Sequence, residues 1–222
     1  MGNKEINFVS AVIYVHNAGD RIEQFLKTVI EVLEDNFDYS EIICVNDSSD
    51  DDSVQAIKNT SSSTKTTSVS VLNMSYFHGV ELAMNAGVDL AIGDFVFEFD
   101  NTFFDFDKDM IMQVYKRSLE GYDIVSASSD RAERFSSKLF YKVFDYFADV
   151  SYKMNTESFR VLSRRVINRI SSMNKTVPYR KAIYASSGLK TDNIKYSAIR
   201  GGLIENMIKK RKNTDQVLQL IH

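Results

Sequence analysis

Short apolar runs recur along this chain with helical patterns between them, and two of the runs end in bursts of carboxylates. Glu41-Ile42-Ile43-Cys44-Val45-Asn46-Asp47 leads into Ser48-Ser49-Asp50-Asp51-Asp52-Ser53. Asp94-Phe95-Val96-Phe97-Glu98-Phe99-Asp100 leads into Asn101-Thr102. A near-continuous apolar run of this length marks a strand buried on both faces, as in a parallel sheet. Parallel strands need crossover connections, usually helices. The chain is therefore expected to be α/β, with a Rossmann-like, mostly parallel sheet flanked by helices. Ligands of such sheets collect outside the carboxyl ends of the strands. Two acidic ends suggest one pocket for sugar or base hydroxyls and a cation.

The pattern predicts strands at 8–15, 41–45, 69–72, 94–100 and 124–127. Between them, Ile22, Phe25, Leu26, Val29, Ile30 and Leu33 form one helical stripe, opened by Asp20 with Glu23 as a capping box. Further helices are expected at 53–58, 79–91, 110–119 and 135–150, and a Ser/Thr loop at 60–68. Ala83, Gly87 and Ala91 recur four apart, which lets the 79–91 helix sit close on a sheet. Phe95, Phe97 and Phe99 are read as core, alternating with Glu98 and Asp100 on the opposite strand face.

The 222 residues suffice for one α/β domain at 1–200, with a helical tail at 201–222. A net charge of −3 gives no electrostatic case for nucleic acid. The single cysteine, Cys44, lies in a predicted core strand, which excludes an internal disulfide and fits a reducing compartment. No apolar run reaches the roughly 20 residues of a membrane span, and the first residues lack the apolar core of a signal peptide. A cytoplasmic protein is expected. The tail Leu203-Ile204-Glu205-Asn206-Met207-Ile208, followed by Lys209-Lys210-Arg211-Lys212, leaves open a peripheral contact with the inner membrane face or a protein partner.

The order of the motifs resembles family-2 glycosyltransferases with the GT-A fold. The matching stretches are Ser10-Ala11-Val12-Ile13-Tyr14-Val15-His16-Asn17, Val45-Asn46-Asp47-Ser48-Ser49-Asp50, Gly79 through Gly93-Asp94, and Phe99-Asp100-Asn101-Thr102. Glu120-Gly121-Tyr122-Asp123-Ile124-Val125 and Phe159-Arg160-Val161-Leu162-Ser163-Arg164-Arg165 look closest to the polyprenyl-phosphate, dolichol-phosphate-mannose-synthase-like subgroup. The resemblance implies transfer of a sugar from a nucleotide sugar to a lipid-linked or glycan acceptor in envelope polysaccharide synthesis.

It also implies roles. Asp47 would accept a hydrogen bond from the base, with Tyr14, Asn17 and a stacking His16 lining the same pocket. Gly79 would admit backbone to the nucleotide, and Asp94 belongs to the same matched set. Asp100 is the first acid of a D-x-D that holds Mg²⁺ or Mn²⁺ on the diphosphate, although binding without metal is also compatible. The second acid is replaced by Thr102, and Glu98 offers a shifted partner for Asp100. Asp105-Phe106-Asp107 repeats the D-x-D pattern, but Asp107 is better read as a helix cap. Glu157 stands one residue from the catalytic base. Arg131 and Arg134 would receive the acceptor phosphate. Arg164 and Arg165 are similar candidates, or salt bridges at a helix start. The arginine and asparagine expected before the Gly79 helix are Tyr76 and Phe77. These losses keep a second reading open: a catalytically degenerate nucleotide-binding module or partner subunit. A nucleotide-binding fold of another class has no glycine-rich phosphate loop to support it.

Overall fold

The computed structural model describes residues 4–130, 157–172 and 179–199. The strands are β1 (Val9–Val15), β2 (Ser40–Asn46), β3 (Thr67–Asn73), β4 (Phe95–Phe99), β5 (Ile124–Ser129), β6 (Phe159–Ser163) and β7 (Thr191–Tyr196). The helices are α1 (Ile22–Asn36), α2 (Ser53–Ser61), α3 (Val80–Leu90), α4 (Asp109–Leu119), α5 (Arg164–Ser172) and α6 (Arg180–Ser186). They flank one sheet in the order β3-β2-β1-β4-β6-β5-β7.

The expected α/β fold with a mostly parallel sheet is what forms. β1 pairs in parallel with β2 and β4, β2 with β3, and β5 with β7. β6 is the exception and runs antiparallel between β4 and β5. The chain builds outward from β1 to β3, then returns to place β4 on β1's other side. That reversal opens a crevice between the carboxyl ends of β1 and β4, the place where open α/β sheets bind ligands.

Each sheet face carries its own core. Val9, Ala11 and Ile13 pack with Phe25, Leu26 and Val29 of α1 and Ile111 and Val114 of α4. Val12, Val45 and Val96 pack with Ala83 and Met84 of α3 and Val166 of α5. The small-residue face of α3 works as expected. A Cβ on Gly87 would stand 2.5 Å from Val12 Cγ1 and 2.6 Å from Val45 Cγ2. Cys44 is fully buried, and burial pushes its thiol up to about 12.

Several boundaries differ from the sequence reading. Asp20 does not cap α1. The helix begins at Ile22 with no side-chain cap, and Asp20 instead pairs with Arg21 at 2.9 Å. Buried Ala18 fixes this turn, its carbonyl accepting from the N–H groups of Arg21 and Ile22. The Ser/Thr stretch is not all loop. α2 runs on to Ser61, and Thr60 and Ser61 turn their hydroxyls back onto the carbonyls of Ala56 and Lys58. Arg164 and Arg165 serve as helix-start tethers. Arg164 donates to the carbonyls of Ala91 and Gly93, and Arg165 pairs with Asp123. Among the described residues no helix is long and apolar enough to cross a membrane. The expected helix at 135–150 and the tail at 201–222 lie outside the described residues.

Candidate active site

The loops after β1 and β2 are laced together at the crevice. Asn17 and Ser48 adopt left-handed backbone, φ 46° and 56°, which turns each chain sharply out of its strand. Asn17 Oδ1 accepts from the Asp50 N–H at 2.9 Å, and the Asn17 N–H donates to Ser49 Oγ at 3.1 Å. Asp51 accepts from the N–H groups of Gly19 at 2.8 Å and Ser53 at 3.0 Å. Burial works to raise the Asp51 pKa, but hydrogen bonds from Ser53 and Gly19 hold it below the usual carboxylate range. The acidic run after β2 is thus scaffolding for the loops.

Asp47 is fully buried at the end of β2. Its Oδ1 accepts from the His78 N–H at 2.8 Å. Its Oδ2 accepts from the Gly79 N–H and the Tyr14 hydroxyl, each at 2.9 Å. Burial, then the Asp47 carboxylate, raises the Tyr14 pKa well above the usual phenol range. Gly79 holds φ 81°, and a Cβ there would meet nothing within 4 Å. Beside this backbone stands an aromatic rim. His16 lies 4.6 Å from Phe77, and Tyr76 stacks on His78 at 3.9 Å. Tyr76 and Phe77 are 65% and 56% exposed, unlike the aromatics of the core.

At the end of β4 the chemistry changes. Glu98 faces Arg160 across the antiparallel ladder with β6. Arg160 donates to Glu98 at 2.7 Å, Asp100 at 2.8 Å and Glu157 at 2.9 Å. Arg180 donates to Glu98 and Asp100 at 2.7 Å each, and to Glu81 of α3 at 3.1 Å. The Tyr184 hydroxyl adds a third contact to Glu98 at 2.9 Å. Both guanidiniums have side chains only 1% exposed. Burial alone would weaken the charge on Arg160, but Asp100, Glu157 and Glu98 outweigh it and hold it protonated.

A third arginine reaches the same strand end. Arg21 donates from Nε to Thr102 Oγ1 at 3.0 Å, and from Nη2 to the Asn17 carbonyl at 3.3 Å. Its guanidinium lies 4.7 Å over the Phe103 ring. It bridges the loop after β1 to the loop after β4.

This architecture belongs with a known family. The sequence profile of Glycosyl transferase family 2 matches residues 10–172. The chain belongs to glycosyl transferase family 2. It is 31% identical over 188 residues to an uncharacterised glycosyltransferase of Synechocystis sp., covering 82% of this chain and 58% of that one. It is 30% identical over 194 residues to a prophage bactoprenol glucosyl transferase homologue of Escherichia coli, covering 85% and 62%. The chain therefore spans about three-fifths of the length of these curated relatives. Among solved structures, a Pyrobaculum calidifontis mannosyltransferase in complex with GDP-Man and Mn²⁺ superposes with TM-score 0.64 at 15% identity, over 89% of this chain and 59% of that one. A Mycobacterium tuberculosis glucosyl-3-phosphoglycerate synthase with Mn²⁺, UDP-glucose and phosphoglyceric acid gives 0.61 at 13%, over 96% and 79%. These likenesses show the GT-A fold.

Within this glycosyl transferase family 2 chain, the residues singled out from sequence that meet at the crevice form two groups. Tyr14, His16, Asn17, Asp47 and Gly79 gather at the carboxyl ends of β1 and β2, as the motifs implied. Asp47 has its carboxylate turned to its own chain, so it fixes the pocket wall and is not presented to a base. Glu98, Asp100 and Glu157 form a second group with the two buried arginines. Both carboxylate oxygens of Glu98 and of Asp100 accept from guanidiniums, and Thr102 accepts from Arg21. Such a donor set does not fit Mg²⁺ or Mn²⁺, which need several oxygen ligands turned to the ion. Among the described residues no cluster of three or more His, Cys, Asp or Glu side chains could hold one. Glu157 Oε2 accepts from Arg160 at 2.9 Å.

Asp94 is a correction. It lies at the amino ends of β1 and β4, accepting from the Phe8 N–H at 3.0 Å, at the opposite end of the sheet from the pocket. Its place after Gly93 reflects the tight approach there. A Cβ on Gly93 would stand 2.5 Å from the Ser10 nitrogen. Asp107 accepts from the Asp109 N–H at 2.9 Å at the start of α4, as the helix-cap reading expected. Arg131 and Arg134 lie outside the described residues.

Sequence reasoning missed Arg21, Arg160 and Arg180 as site residues. Arg160 carried a signal, since it lies in the Phe159–Arg165 motif that the resemblance singled out. Arg180 lies 80 residues from Asp100 and carried none.

Proposed function

We propose that the chain transfers a sugar from a nucleoside-diphosphate sugar to a polyprenyl-phosphate or similar lipid-linked phosphate. One observation carries the reading. The aromatic rim in the loops after β1 and β3 and the arginine–carboxylate cluster at the end of β4 flank the same switch-point crevice. The first suits a base, because stacking is sequence-tolerant and substantial. Beside the second, the partly exposed Arg21 guanidinium bridges the loops after β1 and β4 and suits a diphosphate.

The acceptor class follows from proton chemistry. A glycan hydroxyl needs a general base within hydrogen-bond reach. Glu157 is committed to Arg160. A phosphate monoester with a second pKa of about 6 is already an oxyanion at neutral pH. Its oxygen forms the new bond to the anomeric carbon while that carbon's bond to the diphosphate breaks, and no proton has to move. The bactoprenol glucosyl transferases among the relatives point to the same acceptor class. In this reading Tyr14, Asp47 and Gly79 hold the wall on which His16, Tyr76 and Phe77 meet the base, and Asp100 keeps the arginines in place.

A second reading rests on the same cluster: with Glu98, Asp100 and Glu157 all ion-paired to Arg160 and Arg180, the chain binds nucleotide without turnover and serves a partner. The test is transfer of labelled sugar from UDP-glucose or GDP-mannose to undecaprenyl phosphate in detergent. Transfer that is abolished by Asp100→Asn supports the enzyme. Nucleotide binding without transfer from any donor supports the second reading and overturns the first.

A further inference from the structure

We propose that Arg21 is the group that receives the donor diphosphate, giving this site a nucleotide affinity that does not depend on a divalent cation. The inference rests on the nucleotide-sugar reading and names the charge that reading needs.

Among the described residues, three guanidiniums converge on the segment after β4, and one of them is placed to meet a ligand. Arg160 and Arg180 have side chains 1% exposed and are committed to buried Glu98 and partly buried Asp100. Arg21 has a side chain 27% exposed. Its contacts to Thr102 and the Asn17 carbonyl are with neutral oxygens. Its one ionic partner, Asp20, is 57% exposed, so that pair is screened by water and worth little. A diphosphate would meet a guanidinium whose charge is not spent.

The position is also right. Arg21 spans the loop after β1 and the loop after β4, which is the switch-point crevice itself. Phe103 lies under its guanidinium, holding its plane and removing water from one face. Thr102, a weak ligand for a hard cation, holds the arginine Nε instead; Nη1 meets Asp20 and Nη2 the Asn17 carbonyl, and the second N–H of each outer nitrogen is left to fork onto phosphate oxygens. When the bond to the anomeric carbon breaks, the added charge on the departing nucleoside diphosphate falls beside the Arg21 guanidinium.

Calorimetric titration of the full chain with UDP, GDP and the matching monophosphates, in EDTA and in Mn²⁺, tests this. Wild type is expected to bind one diphosphate with the same affinity in both buffers. Arg21→Gln keeps a donor for Thr102 but removes the charge. It should weaken diphosphate binding about tenfold, the worth of one charge-assisted hydrogen bond, and leave the monophosphate nearly unchanged. Arg21→Lys keeps the charge without the fork and should fall between, which guards against a folding defect in the glutamine variant. Wild-type binding that vanishes in EDTA, or Arg21→Gln and Arg21→Lys binding diphosphate as wild type does, overturns the role of Arg21 and leaves the nucleotide reading standing. No nucleotide binding in either buffer overturns both.

Discussion

At the scale of single residues, the site shows how a carboxylate's partners decide its work. Asp47 and Asp100 both end strands, yet one is consumed by backbone N–H groups and the other by guanidiniums. Asp47 ties the turn before α3 to β2, so its removal should cost more than a surface acid would. In Asp47→Asn one of the two oxygens becomes an NH₂ facing the N–H of His78 or Gly79, or the Tyr14 hydroxyl. Leaving a buried donor unsatisfied costs about 1–3 kcal/mol. Urea unfolding should show that loss, and nucleotide binding should weaken in step because Gly79 is no longer pinned. Unchanged stability would mean the carboxylate does not hold the turn. Glu98 behaves differently again. It is fully buried and accepts from Arg160, Arg180 and Tyr184, so it joins β4 to β6 and to α6. Breaking such a pair strands a buried charge, so the cluster is a fixed post and not a loose ion site.

At the scale of elements, the close seating of α3 decides how near its N-terminus comes to the crevice. Gly87 faces Val12 of β1 and Val45 of β2 with no room for a methyl group. Alanine is the better helix former by about 1 kcal/mol, so propensity alone predicts stabilisation for Gly87→Ala. Overpacking of a tight core costs about 1–3 kcal/mol and should win, because both neighbours are β-branched side chains on rigid central strands. A lowered unfolding midpoint is the expected result, and a raised one would show that α3 shifts freely. This element was legible in the sequence, since three small residues four apart have few other uses. So were β1, β2 and β4, whose apolar runs admit little but buried strands. Asp20 and Asp94 misled for a common reason. A carboxylate beside an element boundary satisfies several roles equally well: Asp20 turned to its neighbour Arg21, and Asp94 found the Phe8 N–H through tertiary placement.

At the scale of the whole molecule, what sequence could not show is what the antiparallel insertion of β6 creates. Local pattern predicts strands but not their direction, and only the reversed β6 puts Arg160 opposite Glu98. Arg180 arrives from a later helix, so the metal-like motif reads as metal-binding until its counter-charges are seen. Acid should expose how the two halves of the sheet are held. On one side, Asp51 binds the loops after β1 and β2. On the other, Asp123 binds Arg165, Ser163 and the Lys190 N–H, joining β5, α5 and the approach to β7. Burial works to raise both carboxyls, but these hydrogen bonds, with the Arg165 charge at Asp123, hold both below the usual range. A carboxyl whose pKa is lowered by folding contributes stability that is fully present above its unfolded value of about 3.9 and is lost as pH falls through the lower folded value. Urea midpoints should therefore be flat with respect to these two groups from neutral pH down to about 5, then fall below about 4. Asp51→Asn and Asp123→Asn should each lower the neutral-pH midpoint and flatten the acid limb. An acid limb as steep in both variants as in wild type would place the acid-sensitive contacts elsewhere.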